Sequence, residues 1–183
     1  MRIRRLRLSH FKAHDRLELE PAAGLTIIRG PNEAGKSSIQ QAIELVLFRK
    51  ADSNREDIRR AWAWKSQAAP EIELEFEADG AAGAVRKRFA GARSEAELRL
   101  DGRAISDYQS IQDELTGLIG VPTESFYRST ASVSHADLGA VAGAEPAIGD
   151  RLQKAVSGAD RGTAKARKKL EAAVHRYRTA GHK

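Results

Sequence analysis

An apolar tetrad and an amphipathic run of helical period enclose the octapeptide Gly30-Pro31-Asn32-Glu33-Ala34-Gly35-Lys36-Ser37, which satisfies the pattern G-x-x-x-x-G-K-[ST]. Leu25-Thr26-Ile27-Ile28 reads as a short, fully buried strand, and Gly30 ends it. From Lys36 to about Lys50 the apolar positions Ile39, Ala42, Ile43, Val46 and Leu47 recur at helical spacing. Strand, glycine-containing loop and helix in that order restrict the fold severely. The loop's N–H groups and the helix N-terminus converge on one point, where an anion is stabilised. There Lys36 reaches the β- and γ-phosphates of a nucleotide and the Ser37 hydroxyl ligates Mg²⁺. Gly30, Asn32, Glu33, Ala34, Gly35, Lys36, Ser37 and Ser38 are the candidate nucleotide-binding residues. Glu33 places a carboxylate and a Cβ where the loop favours positive φ, so its side chain is expected to point away from the phosphates. Asn32, following proline, serves either the γ-phosphate side or the turn itself.

Around this unit the periodicity outlines a sheet. Leu6 and Leu8 alternate with Arg5 and Arg7, and Leu17 and Leu19 with Arg16, Glu18 and Glu20, predicting a hairpin joined through residues 9–15. Residues 54–62 suggest a short helix. Glu71 to Glu77 alternates strictly, with acids on one face and Ile72, Leu74 and Phe76 on the other. Strands around Ala84 to Phe89 and Ala96 to Leu100 follow, the second ended by the turn pair Asp101-Gly102, giving an antiparallel meander. The acids from Glu71 to Asp79 do not read as a metal cluster. Period-2 spacing spreads them along one solvent face, within reach of Arg86, Lys87 or Arg88 across the strands.

Ser106 to Ile119 has helical spacing with Ser106 as its N-cap, and Thr123 to Arg128 is a second short helix capped by Thr123. Beyond Pro146 the pattern is helical apart from a break at Ser157-Gly158. Thr163, Ala166, Leu170, Ala173 and Tyr177 form a heptad-like stripe, which suits either the start of a coiled coil or one surface helix packed on the body.

Charge is distributed unevenly along the 183 residues, whose net charge is +6. Residues 1–12 carry Arg2, Arg4, Arg5, Arg7 and Lys12 and no acid, and residues 151–183 hold ten Lys/Arg against Asp160 and Glu171. A basic tail on an acidic body suggests contact with a polyanion, or else a solvated helix face. No apolar run approaches a membrane span, and the basic start lacks the apolar stretch of a secretory signal, so a cytoplasmic protein is expected. Zero cysteines exclude disulfides, thiolate metal sites and a cysteine nucleophile.

Half of a hydrolytic site is missing from this reading. Phosphate-loop enzymes place an acid at the end of a second buried strand to hold Mg²⁺. Neither Asp101, in a hairpin turn, nor Asp137, after a polar segment, suits that role. With these features the chain resembles the N-terminal ATPase lobe of the SMC/SbcC/RecF/RecN superfamily, most closely in a bacterial SbcC-like or YhaN-like form. These are ABC-type ATPases in which a long coiled coil separates two halves of one head. The resemblance rests on His10-Phe11-Lys12-Ala13-His14, similar to the family's N-F-[RK]-x-[HF], on the loop from Gly30 to Ser37, and on the meander followed by helices. It extends through Phe126 to Leu138, which is similar to the approach to the family's Q-loop.

The resemblance implies an α/β P-loop NTPase lobe of the ABC-type head, with an antiparallel β-meander and a C-terminal helix starting a coiled coil. Residues 1–150 would form the nucleotide-binding lobe and residues 151–183 a basic helical stub. It implies ATP and Mg²⁺ as cofactors and Lys12 near the phosphates. His135, at the Q-loop glutamine position in Val133-Ser134-His135-Ala136-Asp137-Leu138, would contact a metal-bound water or the γ-phosphate, since Mg²⁺ prefers oxygen ligands. Hydrolysis would need the second head lobe, which carries Walker B and the signature motif, and a homodimer partner. Double-stranded DNA is the implied polyanion, met by Lys165, Arg167, Lys168 and Lys169, with a nuclease subunit as a further partner, no membrane, and a nucleoid-associated location. The expected function is nucleotide-gated head engagement and DNA binding in repair or chromosome maintenance. Two rivals stay open: a DNA-binding or scaffolding module with a regulatory or degenerate nucleotide site, and a small P-loop kinase or NTPase.

Overall fold

The computed structural model describes residues 1–53, 56–63, 67–121 and 123–132. Residues 1–121 make one compact unit. Its frame is a six-stranded antiparallel sheet of β1 (Arg2–Phe11), β2 (His14–Leu19), β3 (Glu71–Ala78), β4 (Ala81–Arg88), β5 (Glu95–Leu100) and β6 (Arg103–Ile105), in the order β2-β1-β3-β4-β5-β6. Two helices pack on it, α1 (Lys36–Phe48) against β1, β3 and β4, and α3 (Tyr108–Ile119) against β5 and α1. The short α2 (Glu56–Arg59) lies between α1 and β3 in sequence.

Alternation decides which side of each strand faces the helices. Leu6 and Leu8 of β1, Ile72, Leu74 and Phe76 of β3, Val85 of β4 and Leu98 and Leu100 of β5 point inward, where Ile39, Ala42, Leu45, Val46 and Leu47 of α1 and Ile111 and Leu115 of α3 meet them. Each large aliphatic or aromatic side chain buried this way contributes about 1.5–3 kcal/mol. Gly83 makes room for one of them. A Cβ there would lie 2.6 Å from Cζ of Phe76, directly across the β3–β4 pair.

The opposite face carries charge in alternating stripes: basic on β1 and β4, acidic on β3. Arg7 reaches Glu73 and Glu75 at 3.2 Å and Glu18 of β2 at 3.3 Å; Arg5 reaches Glu20 at 2.6 Å. Arg86 holds Glu71 through two hydrogen bonds of 2.8 and 3.0 Å. The acids of β3 are thus taken up by arginines on both sides. Individually such exposed pairs contribute little, but the alternation fixes register, because like charges directly opposite are destabilising.

Four expectations are corrected. Leu25 to Ile28 is not a buried strand: it lies outside every strand, with Leu25 83%, Ile27 61% and Ile28 42% exposed. An apolar run becomes a buried strand only with neighbours on both sides, and it pairs with none of the six strands. Lys87 does not join the cross-strand pairing, since parity puts it on the inner face between Arg86 and Arg88. The N-cap of α3 is Asp107, not Ser106: its carboxylate accepts the Ser110 N–H at 2.8 Å, which holds its pKa below the usual carboxylate range, together with the bond from the Ser110 hydroxyl. The meander also has an additional strand, β6, after Asp101-Gly102.

Residues 123–132 carry α4 (Glu124–Thr130), and Thr123 caps it by accepting the Phe126 N–H at 3.2 Å, as the sequence predicts. His135, Lys165, Arg167, Lys168, Lys169 and the coiled-coil stripe lie outside the described residues. Among the described residues no helix is long and apolar enough to cross a membrane.

Candidate nucleotide site

The phosphate loop ends where α1 begins. Gly35 is the N-cap, with φ 86 and ψ 12, and no side chain caps the helix there. The N–H groups of Lys36 and Ser37 therefore remain donors for an outside acceptor, and no acidic residue in that turn opposes one. Ala34 N–H donates to Pro31 O at 3.4 Å and Ser38 N–H to Gly35 O at 2.9 Å, which folds the loop over. Glu33 takes φ 67, the left-handed conformation its position calls for, and is exposed. Asn32, Ala34 and Ser37 are exposed, and Lys36 and Ser38 half-buried. The ammonium of Lys36 folds back across the loop, donating to Gly30 O at 2.8 Å and Pro31 O at 2.6 Å. These are neutral acceptors, so the charge of Lys36 is not spent on a carboxylate.

The tip of the β1–β2 hairpin sits on this loop. Positive φ at His10 and Lys12, 52 for each, turns the chain sharply before Phe11 pairs with His14. His14 Nε2 then lies 3.1 Å from Gly35 O. Lys12 donates its ammonium to Gln41 Oε1 on α1, and its backbone N–H to Ala61 O at 2.9 Å. Burial holds the Lys12 ammonium below the usual lysine range, and the charge of Arg60 adds to the effect. Lys12 is thus tied to an amide side chain in the middle of α1.

The far end of α1 is closed from the sheet and from α3. Lys87 Nζ donates to Arg49 O at 2.8 Å, and Gln112 Nε2 to Leu47 O at 3.1 Å. Helix C-terminal carbonyls lack intrahelical partners, and a cation there also meets the negative end of the helix dipole. Of the residues singled out from sequence, Gly30 to Ser38 form one loop running into α1, and Lys12 is tied to Gln41 and Ala61. His14, Gln41, Lys87 and Gln112 were not legible as parts of this unit, because each acts on a residue 21 or more positions away.

The model of the AAA domain family matches residues 5–136, which spans the sheet, the loop and α1. The chain belongs to that family. The similarity of this AAA domain to proteins of the RecF and Rad50 type bears out the resemblance to an SMC/RecF-type N-terminal ATPase lobe. It is 33% identical over 109 residues to the DNA replication and repair protein RecF of Stenotrophomonas maltophilia, covering 58% of this chain and 29% of that protein. It is 37% identical over 118 residues to the DNA double-strand break repair Rad50 ATPase of Thermoplasma acidophilum, covering 62% of this chain and 12% of that protein. The chain therefore spans less than a third of the length of either relative. A solved structure of the recombination mediator protein RecF-ATP in the RecFOR pathway aligns with a TM-score of 0.46 at 15% identity, over 60% of this chain and 30% of that one.

Proposed function

We propose that this AAA domain is the ATP-binding half of an SMC/RecF/Rad50-type head acting in DNA repair or chromosome maintenance, with ATP gating head engagement and DNA binding. The single observation that carries this reading is the junction at Gly30, where a phosphate loop with an uncapped helix start follows an exposed apolar run. Gly35, Lys36, Ser37 and the loop N–H groups would hold the triphosphate and Ser37 would ligate Mg²⁺, which supplies charge neutralisation when bound. The residues fit that group: the donors are backbone N–H groups, an unneutralised ammonium and an exposed hydroxyl. Lys12 would reinforce the phosphate side, and His135 would contact a metal-bound water.

In this reading residues 1–150 are the nucleotide-binding lobe and residues 151–183 enter a coiled coil, with Lys165, Arg167, Lys168 and Lys169 on duplex DNA. A second head lobe and a homodimer partner complete the site, and a nuclease subunit is a further partner, in the nucleoid. Exposure of Leu25, Ile27 and Ile28 beside the loop favours this over a self-sufficient small kinase or NTPase, whose loop-bearing strand would be covered by its own sheet. Phosphate release from Mg-ATP tests the incomplete site. The purified chain should release no more than its Lys36→Ala variant, and rapid release abolished by Lys36→Ala would show the catalytic acid to be present within this chain.

A further inference from the structure

We propose that His14 is a positioning residue of the phosphate loop: from the hairpin tip it donates its Nε2 proton to the Gly35 carbonyl and so aims the Lys36 N–H that opens α1. The inference rests on the nucleotide reading above and assigns a role to a side chain outside the loop's own G-x-x-x-x-G-K-[ST] pattern. A carbonyl oxygen only accepts, so at 3.1 Å Nε2 carries the hydrogen. The Gly35 oxygen and the Lys36 N–H belong to one planar trans peptide and point in opposite directions. Holding the oxygen toward the hairpin therefore turns the N–H away from it, toward the mouth of the loop. The oxygen's other bond comes from Ser38 N–H at 2.9 Å, so both of its lone pairs are engaged.

Two further observations fit the hairpin to the loop. A Cβ on Gly35 would lie 2.5 Å from Nε2 and 2.7 Å from Cε1 of His14, so the imidazole packs against the bare Cα. The hairpin tip is also anchored independently of His14, by Lys12 to Gln41 and by the Lys12 N–H to Ala61 O. The imidazole consequently reaches the loop from a fixed base, which makes it a tether and not a passenger.

Three variants read this out. His14→Phe keeps a ring and loses the donor; His14→Gln keeps an N–H at the same number of bonds from the backbone; Lys36→Ala removes the phosphate lysine. Titration of each with Mg-ATP, with ¹⁵N spectra of the Lys36 amide and the His14 ring, should give a Nε2–H tautomer in the wild type. His14→Phe should weaken nucleotide binding about five- to tenfold, the worth of one net hydrogen bond, with a shifted Lys36 amide and a melting temperature close to wild type. His14→Gln should recover affinity to within about twofold. Wild-type affinity and an unmoved Lys36 amide in His14→Phe would overturn the tether while leaving nucleotide binding intact. A loss that merely follows the melting temperature and is not rescued by His14→Gln would overturn it as well. Equal binding by wild type and Lys36→Ala would instead remove the nucleotide reading, and the positioning role with it.

Discussion

The Nζ of Lys87, a side chain with no exposure to solvent, donates to the carbonyl oxygen of Arg49 at 2.8 Å, joining the middle of the sheet to the end of α1 remote from the phosphate loop. The ring of Tyr108 lies 5.8 Å from the same ammonium and Lys50 stands over that ring too, so cations and an aromatic face surround the cap, with Asp52 engaged by Lys50 at 3.1 Å. Burial pushes Lys87 down to about 7.

Stability should therefore depend on pH through this group, with a sign that can be worked out. The unfolded chain keeps the lysine protonated up to about pH 10.4, whereas the folded chain releases the proton near 7. Between those values the unfolded state binds more protons, so stability rises with pH, by at most about 1.4 kcal/mol per unit from this group. The neutral amine still donates to Arg49 O, so the bond survives the titration. Urea midpoints of wild type and Lys87→Met between pH 7 and 9.5 should converge or cross as the wild type gains. Parallel curves would show that Lys87 keeps its proton in the fold.

Gly35 is constrained twice, by φ 86 and by the His14 ring. Gly35→Ala should cost about 1–2 kcal/mol for the left-handed residue, with a further loss from the ring contact. The double variant Gly35→Ala/His14→Ala should recover the second part and not the first. Denaturation of the two single variants and the double variant measures the coupling, and strict additivity would contradict the contact.

Leu25 and Ile27 should be almost dispensable to the stability of this chain. Leu25→Gln and Ile27→Gln are expected to change the unfolding free energy measured in urea by less than about 0.5 kcal/mol, whereas Leu74→Ala, from the centre of the core, should cost about 2–5 kcal/mol. A large cost at Leu25 would mean that something within the chain covers the run.

At the start of α3, Asp107→Ala should lower the midpoint and Ser106→Ala should not. The capping bond lowers the Asp107 pKa, so its contribution is present above the ordinary carboxylate pKa and is lost as the pH falls through the depressed one. Comparing the two variants at neutral pH and in acid checks both the cap and its sign.

Much of this was legible in the sequence wherever one element's periodicity sufficed. The hairpin, the alternating β3, α1 and the Thr123 cap follow from spacing of 2 or 3.6 and from short polar side chains at helix starts. Leu25 to Ile28 was misread because hydrophobicity reports a preference for burial and not the presence of a partner. The inward turn of Lys87 did have a signal: Val85, Lys87 and Phe89 share a parity, and all three are fully buried. His14 stands at the end of the segment His10 to His14, yet its role exists only once the hairpin tip has met the loop. Ser106 and Asp107 are both good caps, and which one serves depends on where β6 releases the chain.

The proposed nucleotide site has one face on this chain, built around Lys36. Titration calorimetry with Mg-ATP on wild type and Lys36→Ala tests that proposal. Loss of a charge-assisted hydrogen bond to phosphate corresponds to about 1.5–3 kcal/mol, or roughly ten- to a hundredfold in affinity. Weak but measurable binding by the wild type, reduced by at least about tenfold in Lys36→Ala, is expected. Equal affinity of the two proteins would contradict it.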